Sequence, residues 1–200
     1  MMSQQIKISD HQSKSILEIL KAGTALSHQE AEKKNLAKKI IDHTISLEEY
    51  KKLLFINWKA YRSIEQYLYQ NKHILPNELT SLVSYDKSNR LQKDLNALGV
   101  LLDHSQENSI SCPENSSVDS LIGFLYVIEG SMLGGMLIAK HISQCPSLEH
   151  IRNPYFFSGK SKDQMKNWKE FCMYLNNQKY TESNIQKALD AANKAFTFFS

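Results

Sequence analysis

Two hundred residues and 23.0 kDa suit one domain with a real core and are too few for two comfortable ones. A composition of 42% hydrophobic, 10% aromatic and 22% charged residues, with only 7 Gly and 4 Pro, excludes a disordered tail or a fibrous repeat. Twenty-four Lys and Arg against 21 Asp and Glu give a scattered +3, which argues against nucleic acid as a partner and leaves a single anionic ligand compatible.

The N-terminus, Met1 to Asp10, is polar without the apolar core of a signal peptide, so residues 1–12 read as a tail before a single domain of residues 13–200. From Ser13 to about His43 apolar residues at Ile16, Leu17, Leu20, Leu36, Ile40 and Ile41 follow a helical period, as two stretches meeting near Gly23 and Thr24. Ser46-Leu47-Glu48-Glu49 has the form in which a serine caps a helix and a glutamate reaches back to it. The long amphipathic helix that follows carries Leu47, Tyr50, Leu54, Tyr61, Ile64 and Leu68 on one broad face and ends before Pro76. Leu91, Leu95, Leu98 and Leu102 continue the helical period, and Ser105 to Ser117 is a polar loop.

Val118 to His141 is helical and strongly apolar, stopping near Pro146. Its longest unbroken apolar stretch, about Leu121 to Ile128, is interrupted by glycine and too short for a bilayer, so no membrane span is expected. Pro154 to Phe157 then leads into Trp168, Phe171, Cys172 and Leu175, and a closing helix after Thr181 carries Ile185, Ala188, Leu189, Ala192 and Phe196. No segment alternates as a strand would, and the expected fold is all-α. Cys112, Cys145 and Cys172 are odd in number and lack CxxC spacing, which points away from disulfides and zinc and toward a reducing cytoplasm.

Two segments carry candidate chemistry. Four of the seven glycines, Gly123, Gly130, Gly134 and Gly135, lie in the apolar helix, where each costs roughly 1 kcal/mol relative to alanine. Gly130 and Gly134 sit one turn apart on one face, which exposes backbone to a large flat ligand, lets the helix bend, or permits close packing of another helix. The second segment holds His28, with Glu32 one turn beyond it. At that spacing a carboxylate can hold the imidazole Nδ1 and leave Nε2 as a metal ligand, although a lone histidine is more often a surface or satisfied core residue.

Together, the stretch Leu20 to Glu32 around His28 and the stretch Leu-Tyr-Val-Ile-Glu-Gly-Ser-Met-Leu-Gly-Gly from Leu125 to Gly135 resemble the proximal and distal helices of the heme oxygenase family. Ser46 to Tyr50, Arg90 to Gly99, Phe156-Phe157 and Trp168 with Phe171 agree in order, and the glycine segment resembles the bacterial branch associated with biliverdin supply to phytochromes more than the animal enzymes. The resemblance implies a single-domain helical bundle with heme, both substrate and cofactor, between the His28 helix and a distal helix kinked at Gly130 and Gly134. It implies His28 as proximal iron ligand with Glu32 behind it, and Gly130, Ser131 and Gly134 as the catalytic distal surface, with Gly135 also against the heme. A neutral imidazole pushes less electron density onto iron than a thiolate, so activated oxygen can be directed at a heme meso carbon.

Many relatives carry an acid directly after the first distal glycine, where it organises water for proton delivery; this chain has Ser131, whose hydroxyl can hold a water but brings no charge. The resemblance places Lys21 and Lys169 at the heme propionates, with Lys166 as a substitute for the latter, while Met173 falls where relatives offer an arginine. Tyr126 and Phe157 are further candidates to line the pocket, or plain core. The expected reaction takes heme, O2 and external electrons to biliverdin, Fe2+ and CO. With no nucleotide, flavin or iron-sulfur motif in the chain, a ferredoxin, flavodoxin or flavoprotein reductase is the implied donor. The competing expectation is a non-catalytic heme sensor or carrier on the same scaffold.

Overall fold

The computed structural model describes residues 14–102, 116–158 and 161–199. The expected tail of residues 1–12, Cys112 and most of the polar loop before Ser117 lie outside the described residues. All regular structure among the described residues is helical, as the period predicted.

Helix α1 (Ile16–Gly23) is capped by Ser15, whose Oγ accepts from Glu18 N at 3.3 Å while the Glu18 carboxylate accepts from Ser15 N at 2.8 Å. The buried Thr24 interrupts the helix for one residue, and its hydroxyl donates to Leu20 O at 2.7 Å. Helix α2 (Ala25–Lys34) follows, so the expected meeting point is correct. The second stretch does not continue to His43 in one piece: Leu36 is left-handed, with φ of 62°, and a short α3 (Ala37–Ile41) begins beyond it. The Asn35 side chain accepts from Ala37 N at 3.0 Å, a local bond that competes with continued helix.

Helix α4 (Leu47–Gln70) starts at the Ser46 and Glu49 capping box, with bonds of 3.2 and 3.0 Å, and buries the apolar face read from sequence. After α5 (Asn77–Thr80), α6 (Lys87–Ala97) ends earlier than the leucine repeat suggests. Gly99 turns left-handed at φ of 74°, with Val100 N donating to Leu95 O at 2.9 Å and Gly99 N to Asn96 O at 3.0 Å. This glycine-closed terminus leaves Leu102 outside the helix.

Helix α7 (Val118–Ile142) is capped by Ser117 and is the hub, packing along α9 (Glu182–Thr197) and meeting α8 (Ser161–Asn176), α4 and α3. A Cβ on Gly123 would fall 2.2 Å from Ala188 O and 2.8 Å from Ala191 Cβ, so the α7–α9 crossing depends on that glycine. By length and composition α7 as a whole is apolar enough to cross a bilayer, although its longest unbroken apolar run is short. Half of its most apolar 18-residue window is buried among neighbouring helices, the pattern of a core helix.

Polar groups lock the inner helices. Glu65 of α4 accepts from Lys87 N at 2.7 Å, Ser88 N at 3.2 Å and Ser88 Oγ at 2.5 Å, a carboxylate at the first turn of α6. Lys87 Nζ meets Glu129 Oε1 at 2.9 Å with both side chains buried, tying α6 to α7. Asp94 accepts from Tyr155 N at 2.7 Å and Phe156 N at 2.8 Å, which fixes the turn that presents Phe156 and Phe157.

Candidate functional site

Between α2 and the C-terminal half of α7 lies a cleft of about 150 Å³ that opens to solvent. Its floor is aromatic and aliphatic, supplied by α4, by the turn at Phe156 and Phe157, and by Phe196 and Phe199 at the end of α9.

His28, on the α2 wall, projects into this cleft with 55% of its side chain exposed. Nδ1 stands 3.6 Å from Glu32 Oε1, and the ring meets Phe196 edge-on at 5.3 Å between centroids. The helical spacing thus brings the Glu32 carboxylate near Nδ1, just beyond hydrogen-bond distance, and Phe196 packs on the ring from α9.

The opposite wall carries Gly130, Ser131, Gly134 and Gly135. The glycines divide by environment. A Cβ on Gly130 would touch Trp168 at 3.4 Å, whereas a Cβ on Gly134 or Gly135 would meet nothing within 4 Å. The open space over the latter two is room for a ligand against bare backbone, and α7 stays helical through all of them.

Ser131 has a partner that sequence reasoning missed. Its Oγ donates to Ile128 O at 2.9 Å and stands 2.7 Å from Tyr61 OH. With the serine proton committed to the carbonyl, the tyrosine is the donor in the second bond, which leaves a serine lone pair and the phenolic oxygen available to water. Tyr61 is buried, 2% exposed, and packs edge-on against Phe199 with 5.3 Å between centroids. Burial pushes its pKa well above the usual tyrosine value, and the Ser131 bond opposes this only in part, so the phenol stays protonated. The hydroxyls that Tyr50 and Tyr61 bring to the buried face of α4 were the available signal, and only Tyr61 lines the cleft.

The cleft thus joins His28, Glu32, Gly130, Ser131, Gly134, Gly135 and Phe157. It does not include Lys21, exposed on α1, or Lys169, exposed on α8, because neither helix supplies a residue to the lining. Lys166 stands 3.7 Å from Glu170, and Met173 is 62% exposed. Tyr126 is also absent from the lining: it packs on Trp168 at 5.9 Å, in the layer between α7 and α8.

The model of the heme oxygenase family matches residues 14–200, and the chain belongs to that family. It is accordingly a heme-dependent oxidoreductase of the all-α class. Among solved structures it is similar to heme oxygenase from Leptospira interrogans, at 18% identity and a TM-score of 0.69, covering 93% of this chain and 97% of that one. Heme oxygenase from Neisseria meningitidis with NO and CO bound aligns at 21% identity and a TM-score of 0.67, over 94% and 89% of the two chains. Heme oxygenase-1 from the cyanobacterium Synechocystis, in complex with heme, aligns at 17% identity and a TM-score of 0.68, over 93% and 89%. At such identities these likenesses show the fold. No curated protein matches the chain significantly. The donor set suits heme: one imidazole on one wall, side-chain-free backbone on the other, and apolar rings between.

Proposed function

We propose that this protein opens heme with O2 and externally supplied electrons, releasing biliverdin, Fe2+ and CO. The observation that carries the proposal is that His28 on α2 and Gly130, Ser131, Gly134 and Gly135 on α7 line a single cleft. Bound heme supplies the iron that activates O2 and the macrocycle that is cleaved.

The chain's own residues do the rest. His28 would hold the heme iron through Nε2, with the Glu32 carboxylate 3.6 Å from Nδ1 on the side of the ring away from the metal. Gly134 and Gly135 let the distal backbone approach the macrocycle where a side chain would exclude it. Tyr61 donates to Ser131, and the oxygens left over hold a water from which protons reach the distal side. This hydroxyl pair takes the place of the acid that many relatives carry, and Ser131 agrees with the phytochrome-associated bacterial branch. Phe156, Phe157 and Val127 keep bulk water out of the reacting space. The propionates would extend beyond the cleft lining, where Lys21 and Lys169 are the candidate cations of this reading, and the electron donor would be an acidic ferredoxin, flavodoxin or flavoprotein reductase in a reducing cytoplasm.

One observation favours a second reading, a heme sensor or carrier: the only carboxylate lining the cleft among the described residues is Glu32, on the proximal wall. The two are separated by adding one equivalent of hemin, then ascorbate or a ferredoxin reductase system in air with catalase present. Loss of the Soret band with growth of the broad red biliverdin absorption supports the oxygenase. A Soret band that forms and persists supports the carrier, and no Soret shift overturns both.

A further inference from the structure

Helices α3 and α6 end with the same backbone motif but different residues at its left-handed position. In α6 that residue is Gly99, at φ of 74°, as the geometry prefers. In α3 it is His43, at φ of 53°, with Thr44 N donating to Lys39 O at 2.9 Å and His43 N to Ile40 O at 3.1 Å. A side chain at a position where glycine is easiest points to a use for that side chain. The His43 ring crosses to the last turn of α7, where its Nε2 shares a hydrogen bond of 3.0 Å with Nδ1 of His141, the donor depending on the tautomers. The rings are tilted by 33° with centroids 5.2 Å apart, and both residues are half-buried.

We propose that His43 and His141 form a two-imidazole site for a divalent first-row transition cation. The site is separate from His28 and independent of whether heme is opened. Two imidazole nitrogens bound to one ion at about 2.0–2.1 Å stand about 2.9 Å apart at a right angle and about 3.4 Å apart at the tetrahedral angle. The hydrogen-bonded separation of 3.0 Å falls within that range, so an ion that favours imidazole, such as Cu2+ or Ni2+, can take the place of the shared proton, which leaves to solvent. Small ring rotations turn the two nitrogens from each other onto a shared ion, and partial exposure lets water complete the coordination.

No group of three His, Cys, Asp or Glu able to hold a metal occurs among the described residues, so the protein supplies two ligands and the ion is exchangeable. Cys145, between the same segments, is fully buried and bonded to Ile40 O at 3.5 Å and His141 O at 3.4 Å, which keeps its thiol engaged with carbonyls. A bound ion joins α3 to α7 just beyond Ala37 and Ile138, which line the cleft. It therefore braces α3 against the glycine-bearing wall.

The test uses Cu2+ alone on the ligand-free protein carrying His28→Ala, which removes the cleft imidazole from the measurement. Expected are about one equivalent of bound Cu2+, nitrogen hyperfine structure from two imidazoles in its electron paramagnetic resonance spectrum, and a Cu2+-dependent rise in the thermal midpoint. Adding His43→Gly or His141→Ala should weaken binding about 10-fold or more and abolish the thermal rise. His43→Gly relieves the left-handed backbone, so its helical circular dichroism should be retained and a loss of binding cannot be attributed to unfolding. Equal Cu2+ affinity in the parent and both variants, or a parent that binds no Cu2+, overturns the proposal.

Discussion

The two halves of α7 carry glycines for opposite reasons. In the N-terminal half, Gly123 is buried under α9, where the nearest atom to an added Cβ is a backbone oxygen that cannot move aside. In the C-terminal half, Gly134 and Gly135 face open space at the cleft. The join is Glu129, buried and paired with Lys87, followed directly by Gly130, which does some of both jobs by packing on Trp168 and lining the cleft. One stretch of sequence thus specifies helix packing at one end and ligand access at the other, and residue type alone does not tell the two apart.

Substitutions along this helix should separate the halves. The largest loss of stability is expected at the join, where Lys87→Ala leaves Glu129 buried without its partner and should cost about 3–5 kcal/mol in denaturant unfolding. Gly123→Ala comes next, at about 1–3 kcal/mol or somewhat more, because the α7–α9 crossing must open. Gly134→Leu should do the reverse, keeping or slightly raising the unfolding midpoint while preventing the Soret band on hemin addition. A Gly134→Leu protein that is destabilised as much as Gly123→Ala would erase the distinction.

Smaller effects sharpen the cleft side. Tyr61→Phe should cost about 1 kcal/mol for the lost bond to Ser131, keep hemin binding, and slow biliverdin formation, read as a slower loss of the Soret band. The smallest effect is far from α7. Glu49 is held down to about 2 by Lys39 and then by the Ser46 backbone, against an ordinary value of 4.5. A carboxyl whose folded pKa is depressed stabilises the fold above its unfolded pKa and loses that contribution as pH falls from 4.5 toward about 2. Glu49→Gln should remove this slice of acid sensitivity, modestly, because the pair is exposed to solvent.

Local order was legible wherever a short hydrogen bond decides it. The Ser46 and Glu49 box marks the start of α4, and the helical periods of α4, α7 and α9 emerge with their buried faces. His28 and Glu32 were readable as a unit because four residues of helix bring them together. The left-handed turns at Leu36 and His43 were not, since neither residue advertises the conformation that glycine would. Lys21 and Lys169 were placed by resemblance, and the packing of their helices leaves them outside the cleft lining.

By itself, then, the sequence determined a helical chain, the positions of its main amphipathic faces, and the two segments that hold an imidazole and a run of glycines. These follow from interactions three or four residues apart, which need no knowledge of the rest of the molecule. Only the tertiary structure decided which glycine packs and which stays bare, and that Tyr61 reaches Ser131 across 70 positions of sequence. It also set the two histidines of α3 and α7 against each other across 98 positions. Such pairings depend on how whole helices cross, and a crossing is set by the summed packing of many side chains, which no local pattern encodes.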